Sequence, residues 1–261
     1  MRYLAFSMKN FINRSAYRFD HFMGIFNTCL QIFIFGCIYK ALYGGAKEIA
    51  GVTMAMVTTN FILSLGLDSA FSINEYYLPS RIGNGSISNE LLKPVNFKGI
   101  MLAEDFGTVC FNLIFQFTPA FIIAIIMVGM LEPVSIAALL YFIISAVLGF
   151  FVLWCVNFLV QTTSFWLINI WSITTIKNVF VKVLSGSMLP LWFMPDWLQE
   201  VVKFTPFSSI YFTPVQIYLG QLRGMDILTS YMKQCLWILV LYCIGHILWN
   251  RGIRKLVVQG G

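Results

Sequence analysis

Residues Phe106–Met130 run without one charged side chain. A helix needs about 20 apolar residues, at about 1.5 Å each, to cross the hydrocarbon core of a bilayer. Five other stretches have the same character: Phe22–Tyr43, Ile49–Phe71, Val134–Gln161, Phe165–Leu191 and Tyr231–Trp249. None alternates with period two, so they read as helices, which satisfy their own backbone polar groups where water is absent. Composition agrees. Charged residues make up 11% of the chain and hydrophobic ones 59%, with a mean hydropathy of +0.79. A soluble domain carries about 25% charged residues. So few charges cannot cover a soluble surface of 261 residues. The sequence predicts an all-α polytopic membrane protein with six transmembrane helices, forming a single domain over 1–261.

The basic residues orient these spans. With six spans, Arg2, Lys9, Arg14, Arg18, Arg81, Lys93, Lys98, Arg251, Arg254 and Lys255 share one side. Lys40, Lys47, Lys203, Arg223 and Lys233 fall on the other. The excess marks the cytoplasmic side, which places both termini and Arg81–Lys98 there. This bias accounts for the formal net charge of +6. The basic residues are dispersed, which argues against a nucleic-acid partner. Leu131, Glu132 and Pro133 alone separate the third and fourth spans, predicting a tight antiparallel pair.

The first twenty residues lack the apolar core and cleavage site of a signal peptide. Leu4, Met8, Phe11, Ile12 and Phe19 share one arc at 100° per residue, with Lys9, Arg14 and Arg18 outside it and Phe6 and Tyr17 breaking the pattern. Residues 1–21 therefore read as an interfacial helix lying on the lipid bilayer. Cys29, Cys37, Cys110, Cys155, Cys235 and Cys243 all sit inside predicted spans without a C-x-x-C pair, as small apolar residues do. His21 and His246 have no visible ligand partners, and no metal site is expected. No phosphate-binding loop, H-E-x-x-H or G-x-S-x-G occurs. Gly44-Gly45-Ala46-Lys47 is too short for a phosphate loop and follows no strand.

Two polar stretches remain. Arg81–Val95 reads as a turn and a short helix. Gly83 and Gly85 allow left-handed backbone, Ser86 or Ser88 can cap, Glu90, Leu91 and Leu92 continue the helix, and Pro94 ends it. In Pro195–Lys203, the proline suits a first helical position and Asp196 the positive end of the helix dipole. Trp197, Leu198, Val201 and Val202 are expected on one face; Asp196, Gln199, Glu200 and Lys203 tend to the other. Pro206 stops this helix. Ser208–Gly220, interrupted by Pro214, is too short to cross, so 193–221 reads as a re-entrant hairpin on the extracytoplasmic side. A seventh span would put the basic C-terminus outside.

The pattern Ile82-Gly83…Leu91-Leu92-Lys93-Pro94-Val95 resembles the cytoplasmic hairpin of type-2 ABC exporter permeases. The run Ser185-Gly186…Pro190…Pro195-x-Trp197-Leu198…Pro206-Phe207…Pro214…Gly220 is similar to the extracytoplasmic signature of the same superfamily. Span order and loop sizes look closest to the six-span branch, whose ATPase is a separate chain. The resemblance implies an ATPase-coupling hairpin at 81–95, using Ile82, Gly83, Glu90, Leu91, Leu92, Lys93 and Pro94. It implies an extracytoplasmic gate at Pro195, Trp197, Leu198, Val201, Val202, Pro206 and Phe207. Two ABC ATPase subunits and a second permease, identical or paralogous, are the implied partners. ATP and Mg²⁺ would bind the ATPase, with no cofactor in this chain and a bacterial plasma membrane as its place. An amphipathic drug, modified peptide or lipid-linked molecule is the implied substrate. A secondary transporter would need paired broken helices in two related halves, and only one Pro-rich hairpin is visible. A non-transporting immunity or scaffold protein would need no ATPase.

Lys177 and Lys182 fall inside the fifth span. Each costs about 2.5–3.5 kcal/mol at the membrane centre, against about 0.3–0.6 kcal/mol returned by each strongly apolar residue, so neighbours must hold the span. Five residues set the two lysines about 140° apart, and they are not expected to share a groove. One is expected to face the substrate pathway while the other pairs or snorkels. Asp68 and Glu75 are the expected partners, with a structural pair favoured over substrate contact.

Overall fold

The computed structural model describes residues 2–15, 18–49 and 51–256. Residues 16 and 17, within the expected interfacial helix, lie outside the described residues, as do the side chains of Arg2, Arg18 and His21. Helix α1 (Arg2–Ser15) precedes α2 (Arg18–Tyr43), which already contains Phe19. A small hairpin, β1 (Glu48–Ile49) with β2 (Val52–Thr53), leads to α3 (Met54–Ala70). Two short helices follow, α4 (Tyr77–Gly83) and α5 (Ile87–Leu91). Next come α6 (Phe97–Asn112), a π-helical turn (Leu113–Phe117) and α7 (Thr118–Val128), in one unbroken rod. Helices α8 (Ile136–Thr162), α9 (Trp171–Leu184), α10 (Asp196–Lys203), α11 (Phe212–Tyr218) and α12 (Met225–Ile253) complete the fold.

Among the described residues, four helical segments are long and apolar enough to cross a membrane: Phe22–Tyr43, Phe97–Ile126, Ile136–Phe165 and Met225–Ile253. The second and fifth predicted spans are shorter than expected. The second loses its first turn to the β-hairpin, where Gly51 turns at φ +76° and Thr53 caps α3 by accepting from the Met56 amide at 3.3 Å. Its 17 residues give about 25 Å of helix. The fifth keeps only α9, whose 14 residues give about 21 Å. Residues 166–170 stay outside regular helix, and Gly186 (φ +78°) follows the other end.

The third segment starts at Phe97 rather than Phe106, taking Lys98, Glu104 and Asp105 into the helix. Asn96 caps it through the amides of Lys98 and Gly99. Each charge finds a partner that a hydropathy reading does not see. Asp105 accepts from the Trp154 indole and the Asn74 amide, both at 3.1 Å. The Lys98 ammonium meets His246 Nδ1 at 2.5 Å. Glu104 accepts from the Tyr77 hydroxyl at 3.5 Å.

Helix α1 docks on α6 through its small and polar residues. Asn10 donates to the Glu104 carbonyl (2.7 Å) and to Thr108 Oγ1 (2.9 Å). Phe11 turns in to meet Phe111 edge-on at 5.4 Å. Leu4, Met8 and Ile12, spaced by four, stay exposed. The predicted apolar arc therefore splits, and its outward part is what an interfacial helix would present to lipid.

Helix α8 is the centre of the fold, packing against α12, α11, α4 and α9. The chain after α10 dips to its midpoint, where a Cβ on Gly149 would sit 2.4 Å from the Ile210 carbonyl oxygen. Gln234 of α12 pins the same turn, donating to the Ser145 carbonyl at 3.0 Å and the Ser209 carbonyl at 2.8 Å. Helix α11 then climbs back to Gly220, packed on Val134 near the start of α8. Because the obstructing atom is backbone, Gly149→Ala should cost about 3 kcal/mol, the upper end for overpacking. A denaturation midpoint unchanged by that substitution would show that the dip is not seated on α8.

Candidate functional site

The polar stretch between α3 and α6 is a compact hairpin. Asn84 and Gly85 (φ +72°) form its turn. Ser86 takes the N-cap position of α5, but its hydroxyl donates to Asn84 Oδ1 at 2.7 Å instead of capping. Ile87 is buried and Ile82 half-buried against the core. Glu90, expected to face a partner, is 6% exposed and ion-pairs with Arg81, which lies 5.0 Å over the Tyr77 ring. At its root, Gln161 of α8 accepts from the Leu78 amide at 3.0 Å and donates to the Asn74 carbonyl at 3.1 Å. Both helices are thus fixed to the spans. Leu92 stands 84% exposed, and Leu91, Lys93, Pro94 and Gly83 are also exposed.

A groove of about 840 Å³ runs beside this hairpin, closed on its far side by Trp166, Leu167 and Ile168. The sequence reading placed those three residues inside the fifth span. They lie outside helix, exposed, because α9 begins only at Trp171. Their run of large apolar residues looks like membrane until the polar bend Asn169 and the helix start after it are known.

A second cavity, of about 760 Å³, opens between α2, α3, the π-helical turn, α8 and α9. Polar side chains dominate its wall: Asn27 and Gln31 on α2, Asn112 at the end of α6 and Gln116 within the π turn, and Asn157 on α8. Each of the first two pairs is spaced by four, a stripe on one helix face. That spacing of amides within apolar spans was the available signal, and the sequence reading did not use it.

Both Lys177 and Lys182 line this cavity, against the expectation that they could not share one groove. Thr174, Lys177 and Val181 form the buried face of α9. Lys182 lies on a more exposed flank, and its four-carbon stem reaches the same space. The expected structural pair is present: Lys177, 7% exposed, ion-pairs with Glu75 and donates to Asn157 Oδ1 at 2.5 Å. The other Glu75 oxygen accepts from Asn178 at 3.1 Å. Asp68 instead accepts from the Tyr211 hydroxyl at 2.9 Å, which ties the dip before α11 to the cavity wall.

The four apolar residues of α10 divide between two directions. Leu198 and Val202 pack inward with Leu191 and Met194, whereas Trp197 is 69% and Val201 54% exposed. Residues four apart differ by about 40° on a helix and adjacent ones by about 100°, so two pairs form where one face was expected. Pro195 is the N-cap residue, Pro206 opens the following 3₁₀ turn, and Phe207 stacks on Phe180 of α9 at 6.3 Å. Among the described residues, no cluster of His, Cys, Asp or Glu could hold a metal ion.

Apolar helices of membrane-crossing length, a polar cavity among them, and a braced hairpin at the helix ends define an integral membrane transport component. The family model for ABC-2 family transporter proteins matches residues 25–260, and the chain belongs to that family, as a type-2 ABC permease subunit. Such subunits work with ABC ATPase components. A comparison with curated proteins gave no match.

Proposed function

We propose that this chain is the membrane subunit of an ATP-driven exporter in a bacterial plasma membrane. Two permease copies, or this chain and a paralogue, would sit above two ATPase subunits that bind ATP and Mg²⁺. The observation that carries the reading is the hairpin of α4 and α5. It is short, internally ion-paired and hydrogen-bonded to α8, so a push on it moves spans rather than bending a loop. Leu91, Leu92 and Lys93 form its free contact edge, while Glu90 acts by bracing the hairpin through Arg81. The groove beside Trp166–Ile168 extends the contact surface.

In this reading α3 and α9 are the second and fifth of six spans. Their shortness is tolerated because protein and the polar cavity, not lipid alone, surround their charged and polar residues. Residues 193–221 re-enter from outside, and Leu198 and Val202 seat α10 as part of an extracytoplasmic gate. Trp197 and Val201 face lipid headgroups or the second permease. The topology has a direct test. Single cysteines at Gln199 and Arg223 should react with an impermeant reagent added outside, and cysteines at Asn84 and Lys255 should not. External labelling at Lys255 would overturn the six-span arrangement, and failure of any ATPase to co-purify with the tagged chain would overturn the exporter reading.

A further inference from the structure

The cavity between α2, α3, α8 and α9 has a charge balance that says what it can receive. Glu75 has both oxygens engaged, by Lys177 and Asn178. Lys177 is in turn held by Glu75 and Asn157. Asp68 accepts from the Tyr211 hydroxyl, a neutral group that does not offset a carboxylate. Lys182 and Arg14 also line the cavity, and among the described residues neither has a carboxylate within ion-pairing distance. Three cations, Arg14, Lys177 and Lys182, thus face two carboxylates, Asp68 and Glu75, in the lining, and the balance is positive. Around it stand amide side chains, which donate to and accept from hydroxyl and phosphoryl or carboxylate oxygens equally well.

A second observation concerns the wall above. Asn60 and Ser64 precede Asp68 on α3 at spacings of four, and thus continue its face away from the hairpin end. Both are fully buried, and among the described residues Asn60 Oδ1 and Ser64 Oγ have no hydrogen-bond partner. Buried polar atoms without partners are uncommon in a settled core. They extend the polar face of α3 beyond the cavity.

Resting on the reading of this chain as a transport subunit, we infer that the cavity receives an anionic polar group of the transported molecule, with Lys182 and Arg14 as its cationic contacts. About 760 Å³ accommodates a headgroup-sized moiety. Any alkyl or aromatic remainder stays in the apolar surroundings.

The test uses the full chain in phosphatidylcholine nanodiscs without ATPase, with empty nanodiscs subtracted. Dodecyl phosphate should bind saturably, and dodecyltrimethylammonium should bind at least about tenfold more weakly. Losing one charge-assisted contact in Lys182→Gln should weaken dodecyl phosphate by about tenfold, while Lys182→Arg stays within about threefold of wild type. Arg14 is exposed, so Arg14→Gln carries the same test if Lys182→Gln does not fold. Competition by inorganic phosphate would support a soluble anion as the guest. Its failure to compete, with dodecyl phosphate bound, would support an anionic amphiphile. Binding of dodecyl phosphate unchanged in Lys182→Gln and Arg14→Gln, or tighter binding of the ammonium amphiphile, would overturn the inference. Because no ATPase is present, a failed co-purification would sink the exporter reading and leave this result standing.

Discussion

Leu92→Asp should abolish recovery of the ATPase with the tagged permease and leave the permease itself folded. Leu92 is 84% exposed, so the isolated chain has almost no packing to lose. In the complex the substitution removes burial worth about 1.5–3 kcal/mol and puts a carboxylate without a partner into an apolar contact. A combined loss above about 3 kcal/mol weakens association by more than a hundredfold. Leu91→Asp should act in the same direction. Ile87→Asp gives the contrast, because Ile87 is 1% exposed and its replacement should unfold the hairpin rather than spare it. Normal co-purification and normal substrate-stimulated ATP turnover in Leu92→Asp would exclude this edge as the coupling contact.

Breaking the pair between Lys177 and Glu75 should give the largest loss of stability among the charged residues. Lys177→Met leaves Glu75 with only Asn178, and Glu75→Gln leaves the buried ammonium with only Asn157 and a neutral amide. Removing one member of a buried pair costs about 3–5 kcal/mol. The Glu75 side chain is 25% exposed to the cavity, which places the cost near the lower end, about 3 kcal/mol. The double variant Lys177→Met with Glu75→Gln leaves no uncompensated charge and should recover much of the loss. Denaturation midpoints of the two single variants and the double variant decide it. Additive losses in the double variant would mean that the two groups stabilise the fold independently.

The long apolar segments were legible because hydropathy over a bilayer's thickness is a local property. Phe106–Met130 and Val134–Gln161 needed no partner to be read correctly as helix. The two shorter ones, α3 and α9, were legible as helices but not in their bounds, because the β-hairpin before α3 and the non-helical stretch before α9 are fixed by the assembled fold. Lys98 looked like a loop charge until His246 was beside it, and Asp105 until Trp154 was. The hairpin's turn was readable from Gly85, whereas the inward direction of Glu90 depended on Arg81 and on the burial of Ile87. For Lys177 and Lys182, angular separation alone misled. A long flexible stem can bridge an angle that backbone geometry keeps open. The amide-lined cavity went unread because each Asn or Gln, taken singly, is an ordinary defect in an apolar helix. Only the assembled fold makes five elements converge on one space.

The π-helical turn at Leu113–Phe117 has a consequence of its own for the rod that contains it. Pro119 has no amide hydrogen to give the Phe115 carbonyl, while the Thr118 amide and hydroxyl both donate to the Leu113 carbonyl, the hydroxyl at 2.8 Å. One residue more than an α-helix would hold is wound into this turn, which offsets everything beyond it by roughly 100° about the axis. The lower half of the rod is thereby keyed to α1 and α8, through Phe111 and Asp105, and the upper half packs mainly on α2, with Phe117 at the end of the turn against Gly66 of α3. Gln116 falls at the seam between these two phases, with its amide lodged on the bare backbone of Gly24 in α2. A continuous α-helix of the same sequence could satisfy one set of neighbours or the other. The seam lets a single segment serve both, and it places the change of phase beside the cavity.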